Sequence, residues 1–322
     1  MERCVTNVSK RIENLQFSQY LRTCREHARL TQEQLTHALY AHDIESFEAL
    51  DMSMLSKWER GVIQPKISKQ VSIVKYFQKR NNRALPCFDN YTVDKAEALL
   101  CETGMKNLLG KSKKLVLEFP SSVIGIDDLI VYHVRNSENF DKYIAINVDL
   151  DRGFTHDYSQ LDFERFKSWA SNPVNSFYVC EYKEQFFGLL FTLRVKPEIF
   201  DRLMKFEIDE KALTNDDFAR FDEKGSNYLL SFFAMNDKAA TLLFIRYYAH
   251  LIANQNVIEE VGTASMMEDA KKLIGKMQLH TCKRKTVSDD LIIESFRASL
   301  STFLAHDRVL KMLLSKQDIP SA

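Results

Sequence analysis

Apolar residues recur at helical spacing in the first quarter of the chain and at strand spacing beyond residue 115. Phe17, Leu21 and Cys24 share one face of a helix expected from about Phe17 to Ala28. After Arg29-Leu30 comes Thr31-Gln32-Glu33-Gln34-Leu35, where Thr31 is a good N-cap and Gln34, three residues on, completes a capping box. Leu35, Ala38 and Leu39 supply the buried face of this second helix. Leu55 and Trp58, three apart, predict another helix across Ser53–Arg60, ended by Gly61 and blocked by Pro65. Val71, Ile73, Val74 and Phe77 line a further helix from Ile67. A polar, basic connector follows from Lys79 to about Pro86. An interrupted apolar stripe, Ala96, Leu99, Leu100, Met105 and Leu108, then predicts a helix over about 92–109.

From Leu115 onward the pattern mixes strands and helices. Leu115–Phe119 and Ser176–Glu181 read as strands, and Phe186–Leu193 follows the latter after a polar turn, giving a hairpin. Tyr228–Met235 is an apolar strand leading into a helix from about Ala239 to Asn254, and Ile258–Thr263 extends again. Met267–Met277 is helical, Leu279–Cys282 is a strand, and Asp289 to about Lys316 is expected to be a terminal helical region. Two domains follow from 322 residues, more than one compact core usually serves. Their expected limits are 1–85 and 115–322, joined by a linker and connecting helix over 86–114.

Composition adds little until its distribution is considered. Lys+Arg and Asp+Glu both number 44, so net charge names no partner. Residues 1–85, however, hold 14 Lys and Arg against 9 Asp and Glu, which leaves the remainder acidic. A basic first quarter points toward a nucleic-acid partner, against the plainer reading of a solvated lysine-rich face. The six cysteines, Cys4, Cys24, Cys87, Cys101, Cys180 and Cys282, form no C-x-x-C pair and no cluster with metal-ligand spacing, so no metal is expected. They read as reduced thiols. With no apolar signal core at Met1-Glu2-Arg3-Cys4 and no membrane-length apolar run, the expected setting is cytoplasmic, without membrane contact.

The string Leu30-Thr31-Gln32-Glu33-Gln34-Leu35, followed by Leu55-Ser56-Lys57-Trp58-Glu59-Arg60-Gly61 and Pro65, resembles the phage-repressor (Cro-like, XRE) helix-turn-helix family over about residues 16–80. The resemblance implies an all-α bundle on double-stranded DNA, with the third helix in the major groove. It places Gln32 on a phosphate or outer base edge, Met52, Ser53 and Lys57 on bases, and Arg60 on phosphate. It also assigns Arg25 and Glu59 to a structural salt bridge. Trp58 invites a base-stacking role, but its partner Leu55 favours the core. Residues 41–51 exceed the family's usual tight turn by roughly eight residues and are acidic, so this insertion is expected to point away from DNA.

A hairpin, a strand into a helix, a strand, a helix and a last strand is also the order of the acyl-CoA N-acetyltransferase (GNAT) fold, which residues 160–282 resemble. In that family a glycine-containing loop ahead of a helix cradles the CoA diphosphate on backbone N–H groups. Here Asn236-Asp237-Lys238-Ala239-Ala240-Thr241 stands at that place, without glycine and with an added acid. The family's tyrosine acid corresponds to Ile274, which donates no proton. Glu259-Glu260 reads as a solvated strand edge, His250 as a satisfied histidine, and the aromatics Phe232, Phe233, Phe244, Tyr247 and Tyr248 as core.

The sequence thus predicts an α+β two-domain protein: an all-α helix-turn-helix bundle, then a mixed α/β GNAT-like domain with a terminal helical region. The function expected is a sequence-specific DNA-binding transcriptional regulator, acting as a homodimer. Its C-terminal domain would sense a small-molecule or protein effector, with acyltransferase activity lost, no catalytic residue and no cofactor. Two alternatives stand beside it. One is an acyl-CoA-dependent N-acyltransferase fused to a DNA-binding module; the other is a partner-binding, antitoxin-like protein.

Overall fold

A computed structural model describes residues 16–104, 124–155, 161–288 and 291–314. They divide into two compact units, one helical and one built on a sheet. The strand expected at Leu115–Phe119 and the end of the connecting helix beyond residue 104 lie outside the described residues.

The helical unit begins with α1 (Phe17–His27), α2 (Gln32–His42), α3 (Ile44–Phe47), α4 (Met52–Glu59), α5 (Ile67–Asn81) and α6 (Val93–Gly104). Thr31 caps α2 as its capping box requires: its hydroxyl accepts from Gln34 N at 3.1 Å, and Gln34 Oε1 accepts from Thr31 N at 2.9 Å. Tyr20, Leu21, Cys24, Leu35, Leu39, Leu55, Ile73, Val74 and Phe77 are buried. The insertion over 41–51 is folded. Asp43 caps α3 by accepting from Ser46 N at 3.0 Å, and also accepts from Ser72 on α5 at 2.7 Å. Those bonds hold its carboxyl below the usual range, while Phe47 of α3 is fully buried.

In the sheet unit seven strands take the order β1-β2-β3-β4-β5-β7-β6. They are β1 (Ile130–His133), β2 (Ser176–Tyr182), β3 (Gln185–Val195), β4 (Gly225–Ala234), β5 (Ile258–Ser265), β6 (His280–Ser288) and β7 (Leu291–Ser299). All neighbours run antiparallel except β4 and β5. A parallel pair needs a crossover, and α10 (Asp237–Ala253) supplies it. β2 and β3 are joined by a two-residue turn at Lys183 and Glu184, both with positive φ (47° and 64°). That backbone matches the twist of a tight hairpin. α7 (Phe140–Thr155), α8 (Phe163–Ser171) and α9 (Pro197–Met204) occupy stretches where the hydrophobic pattern predicts nothing. Their aromatic residues meet the inward face of the sheet: Tyr143, Phe166, Trp169 and Phe200 join Phe177, Phe191 and Tyr228 in one core. α11 (Glu268–Lys276) follows β5, and α12 (Leu300–Leu304) and α13 (Asp307–Leu314) end the described chain.

The terminal region corrects the expectation of continuous helix from Asp289. Leu291–Ser299 is β7, inserted between β5 and β6. Its backbone pairs with both neighbours, and that pairing overrides any local helical tendency. The domain limit at 115–322 also differs from the observed grouping. Residues 304–314 and 248–256 belong to the helical unit, where α13 packs on α5 and α6 through Val309, Leu310, Met312 and Leu313. Among the described residues no helix is long and apolar enough to cross a membrane, and none of their His, Cys, Asp and Glu side chains cluster to hold a metal ion.

Candidate functional site

β4 and β5 begin as a pair and then part. Tyr228 faces Gly262 and Leu229 faces Thr263; β4 then runs on to Ala234 with no partner on β5. The Thr263 hydroxyl donates to the Leu229 carbonyl at 2.8 Å, a last tie before the gap opens. On its other side β4 carries a register shift against β3, which pairs Phe191 with Ser231 but Thr192 with Leu229. Such a bulge re-aims side chains. It lets Tyr228 and Phe233, five positions apart, both join the inward core. Gly262 permits close packing behind the gap, since a Cβ there would stand 2.7 Å from the Phe200 ring of α9.

The gap is the throat of a cavity of about 450 Å³, lined on one side by Leu230–Ala234 and on the other by Ala264–Met267. That size suits a small-molecule ligand. Toward α11 its wall is apolar, with Phe232, Phe244, Leu273, Ile274, Met277 and Ile293. Toward α7 and the turn after α9 it is polar and acidic. Asn147 and Asp151, one helical turn apart on α7, stand there with Asp209, Glu210 and Tyr228.

Three features make this acidic end chemically unusual. The Tyr228 hydroxyl donates to Glu210 Oε1. Glu210 is reached through the cavity but enclosed by protein, and this desolvation pushes its carboxyl up to about 7, against the lowering effect of the Tyr228 bond. The nearby charges of Asp151 and Asp209 push in the same upward direction. Asn147 is only 1% exposed, and among the described residues neither its amide oxygen nor its amide nitrogen has a hydrogen-bond partner. A buried amide left so costs roughly 1–3 kcal/mol, and this one lies in the cavity wall.

The N-terminus of α10, where the GNAT resemblance places a diphosphate, is already occupied. Asn236 is buried and its Oδ1 accepts from Ala239 N at 2.8 Å. Asp237 adds a negative charge in the first turn, and Lys238 is turned to the Ile124 carbonyl. A diphosphate does not fit this end. Ile274, in place of the family's tyrosine, lies in the apolar cavity wall.

The residues singled out from sequence sit elsewhere, in the helical unit. Arg25 Nε and Nη2 donate to Glu59 Oε1 and Oε2 at 2.6 and 3.1 Å, a forked pair. Gln32 is not turned outward: its Nε2 donates to Glu59 Oε2 at 2.8 Å. Met52, 56% exposed, and Ser53 lie at the start of α4, whose N-terminus is capped by the acidic Asp51. Lys57 is half-buried and Arg60 exposed, its Nε directed at the Ser56 carbonyl. Trp58 is 4% exposed, as its spacing from Leu55 implies. The structure does not bring any of these to the cavity. Glu210, Tyr228, Asn147, Asp151 and Asp209 were missed in the sequence because no local motif joins them.

No family model matches the chain, and no curated protein matches it. Among solved structures, the chain is similar to FeeM, an N-acyl amino acid synthase from uncultured soil microbes, at 9% identity and TM-score 0.40, covering 55% of this chain and 94% of that one. It is similar to an N-acetyltransferase from Staphylococcus aureus Mu50 at 10% identity and TM-score 0.36, covering 53% and 97%. An agmatine N-acetyltransferase is similar at 9% identity and TM-score 0.39, covering 53% and 100%. These similarities each cover about half of the chain. The expectation of a DNA-binding transcriptional regulator of the XRE family is corrected by these findings: no helix-turn-helix family is matched, and the similar structures are acyltransferases. The helix-turn-helix resemblance rests on a short local string. Capping boxes and i, i+3 core pairs serve any small helical unit, whatever it binds.

Proposed function

We propose that the sheet unit is an N-acyltransferase that moves an acyl group from a thioester to a cationic amine. The observation that carries this reading is Glu210, a carboxylate poised near neutrality at the wall of a cavity between splayed strands. A general base works best with a pKa near the working pH. Asp151 and Asp209 draw a protonated amine to that end of the cavity, and Glu210 removes its proton. The neutral nitrogen then attacks the thioester carbonyl carbon, an N–C bond forms, the C–S bond breaks, and the surplus proton on the nitrogen passes to the departing sulfur, which leaves as a thiol. Tyr228 holds the Glu210 carboxylate in place. The extended arm of the thioester lies in the gap beyond Leu229, where a strand edge freed from β5 offers backbone groups to an amide-bearing chain. Its acyl portion packs against the apolar wall.

The test is thiol release by the full-length protein, supplied with an amine panel and with acyl thioesters of increasing chain length. Both CoA and N-acetylcysteamine thioesters serve, because the latter lack a diphosphate. Amine-dependent release supports the reading. Release with neither thioester type, and no binding of either by calorimetry, overturns it. With the α10 terminus closed, the diphosphate is expected to change KM for the donor by less than tenfold.

Asn147→Leu separates structure from function. It removes two orphaned polar atoms, so the melting temperature is expected to rise, by the equivalent of roughly 1 kcal/mol or more. The KM for the amine is expected to rise at least tenfold. A KM left at the wild-type value would show that Asn147 contacts no substrate.

A further inference from the structure

The helical unit contains a pair of thiols that the acyl-transfer reading does not use. Cys24 lies on the inner face of α1, fully buried. Cys87 lies in the segment between α5 and α6, half-buried, with φ at +70°. Positive φ is unusual for a residue with a side chain, and here it turns the Cys87 side chain toward α1. The two sulfurs stand 2.7 Å apart, in hydrogen-bond contact across 63 positions of sequence. A disulfide needs only about 0.7 Å of further approach. Neighbouring Leu85 and Phe88 are fully buried and hold the segment in place, and Leu85 N donates to Gln255 Oε1 at 2.6 Å.

From this geometry we propose that Cys24 and Cys87 form a reversible, peroxide-oxidised disulfide that ties α1 to the segment following α5. The roles of the two thiols are unequal. Cys87 is the one solvent reaches, and the S–H of Cys24 donating to it lowers its pKa, so it is the thiolate and the attacking group. Burial pushes the Cys24 thiol strongly up, which keeps it protonated as the resolving partner. His27, one turn beyond Cys24, brings Nδ1 to 4.0 Å from the Cys87 sulfur.

The steps balance with a hydroperoxide as oxidant. The Cys87 thiolate attacks a peroxide oxygen; an S–O bond forms, the O–O bond breaks, and the departing oxide is protonated. The Cys24 sulfur then attacks the Cys87 sulfenic acid. An S–S bond forms, the S–O bond breaks, and the hydroxide leaves with the Cys24 proton as water. In sum two thiols lose two electrons and two protons, and the peroxide is reduced. A thiol or dithiol reductant reverses the bond by exchange. The link closes a long loop and restrains the unfolded chain, so the oxidised protein is the more stable form.

The experiment treats the reduced full-length protein with a small excess of hydrogen peroxide, blocks free thiols with N-ethylmaleimide, and maps non-reduced tryptic peptides by mass spectrometry. The expected product joins Thr23–Arg25 to Ala84–Lys95, about 2 Da lighter than the sum of the two thiol peptides, and disappears on reduction. The melting temperature is expected to rise on oxidation and return with dithiothreitol. In Cys24→Ser, Cys87 is expected to stop at oxygen adducts. Cys87→Ser, a change at a half-buried site, guards against loss of folding at the buried one, and it should leave Cys24 unoxidised. The proposal is overturned if peroxide leaves both thiols open to alkylation after unfolding, or if Cys87 of the wild type accumulates the oxygen adducts expected only of Cys24→Ser.

Discussion

Glu210→Gln is expected to lower the rate of acyl transfer by two to four orders of magnitude, the usual contribution of a positioned general base. It is also expected to make the protein more stable above neutral pH. The two effects have one cause. The native environment raises the Glu210 carboxyl to about 7 from its ordinary value of 4.5, so the folded state binds a proton that the unfolded state has released between those values. Stability contributed by this group is therefore present below about pH 4.5 and declines as pH rises to about 7, above which the loss is complete. The whole shift corresponds to at most about 3 kcal/mol, and less for a side chain that the cavity lets water reach. Glutamine keeps an oxygen for the Tyr228 hydroxyl and carries no charge, so it escapes that loss. Two measurements check this. The pH profile of kcat/KM in the wild type should fall on the acid side with a midpoint near 7. Denaturant unfolding at pH 8 should show the variant at least as stable as the wild type, whereas below pH 4.5 the difference should vanish. A variant of full activity would remove Glu210 from the chemistry.

Arg25→Ala is expected to have the largest effect on stability, about 3–5 kcal/mol, confined to the helical unit. The Glu59 side chain is only 3% exposed. Its oxygens accept from Arg25 Nε, Arg25 Nη2 and Gln32 Nε2, and Arg25 Nη1 also reaches the Leu30 carbonyl at 2.9 Å. Removing the guanidinium leaves a buried carboxylate with one neutral donor, and that uncompensated charge is what makes the loss large. Replacing both members, Arg25→Met with Glu59→Met, should cost much less, because no charge is then stranded. Urea unfolding followed by Trp58 fluorescence in a Trp169→Phe background reads the helical unit directly. A single-variant loss below about 1 kcal/mol would mean that the pair behaves like a surface ion pair.

The local elements of both units were legible in the chain. Thr31 and Gln34 announced a capped helix, Leu55 and Trp58 a buried face, and the apolar runs around 176–193 a hairpin, because each signal lies within one or two turns of backbone. The step from strand to long helix to strand over 225–265 was equally visible. Function was not legible in the same way. The helix-turn-helix resemblance rested on residues that cap helices and fill a small core, and those requirements are shared by helical units with quite different tasks.

What the sequence determined by itself is a mixed α and β protein with a capped, tightly cored helical segment followed by a succession of strands and helices. The tertiary structure alone decided the rest, since it depends on pairing and packing between distant stretches. Leu291–Ser299 became a strand only because β5 and β6 offered it two ladders. α13 joined the helical unit only because α5 and α6 present an apolar face to it. The parting of β4 from β5 after Leu229 brought Asn147, Glu210 and Tyr228 to one cavity wall, although they come from a helix, a turn and a strand. A carboxylate's chemistry follows from what surrounds it, and Glu210 met its surroundings only when the chain folded.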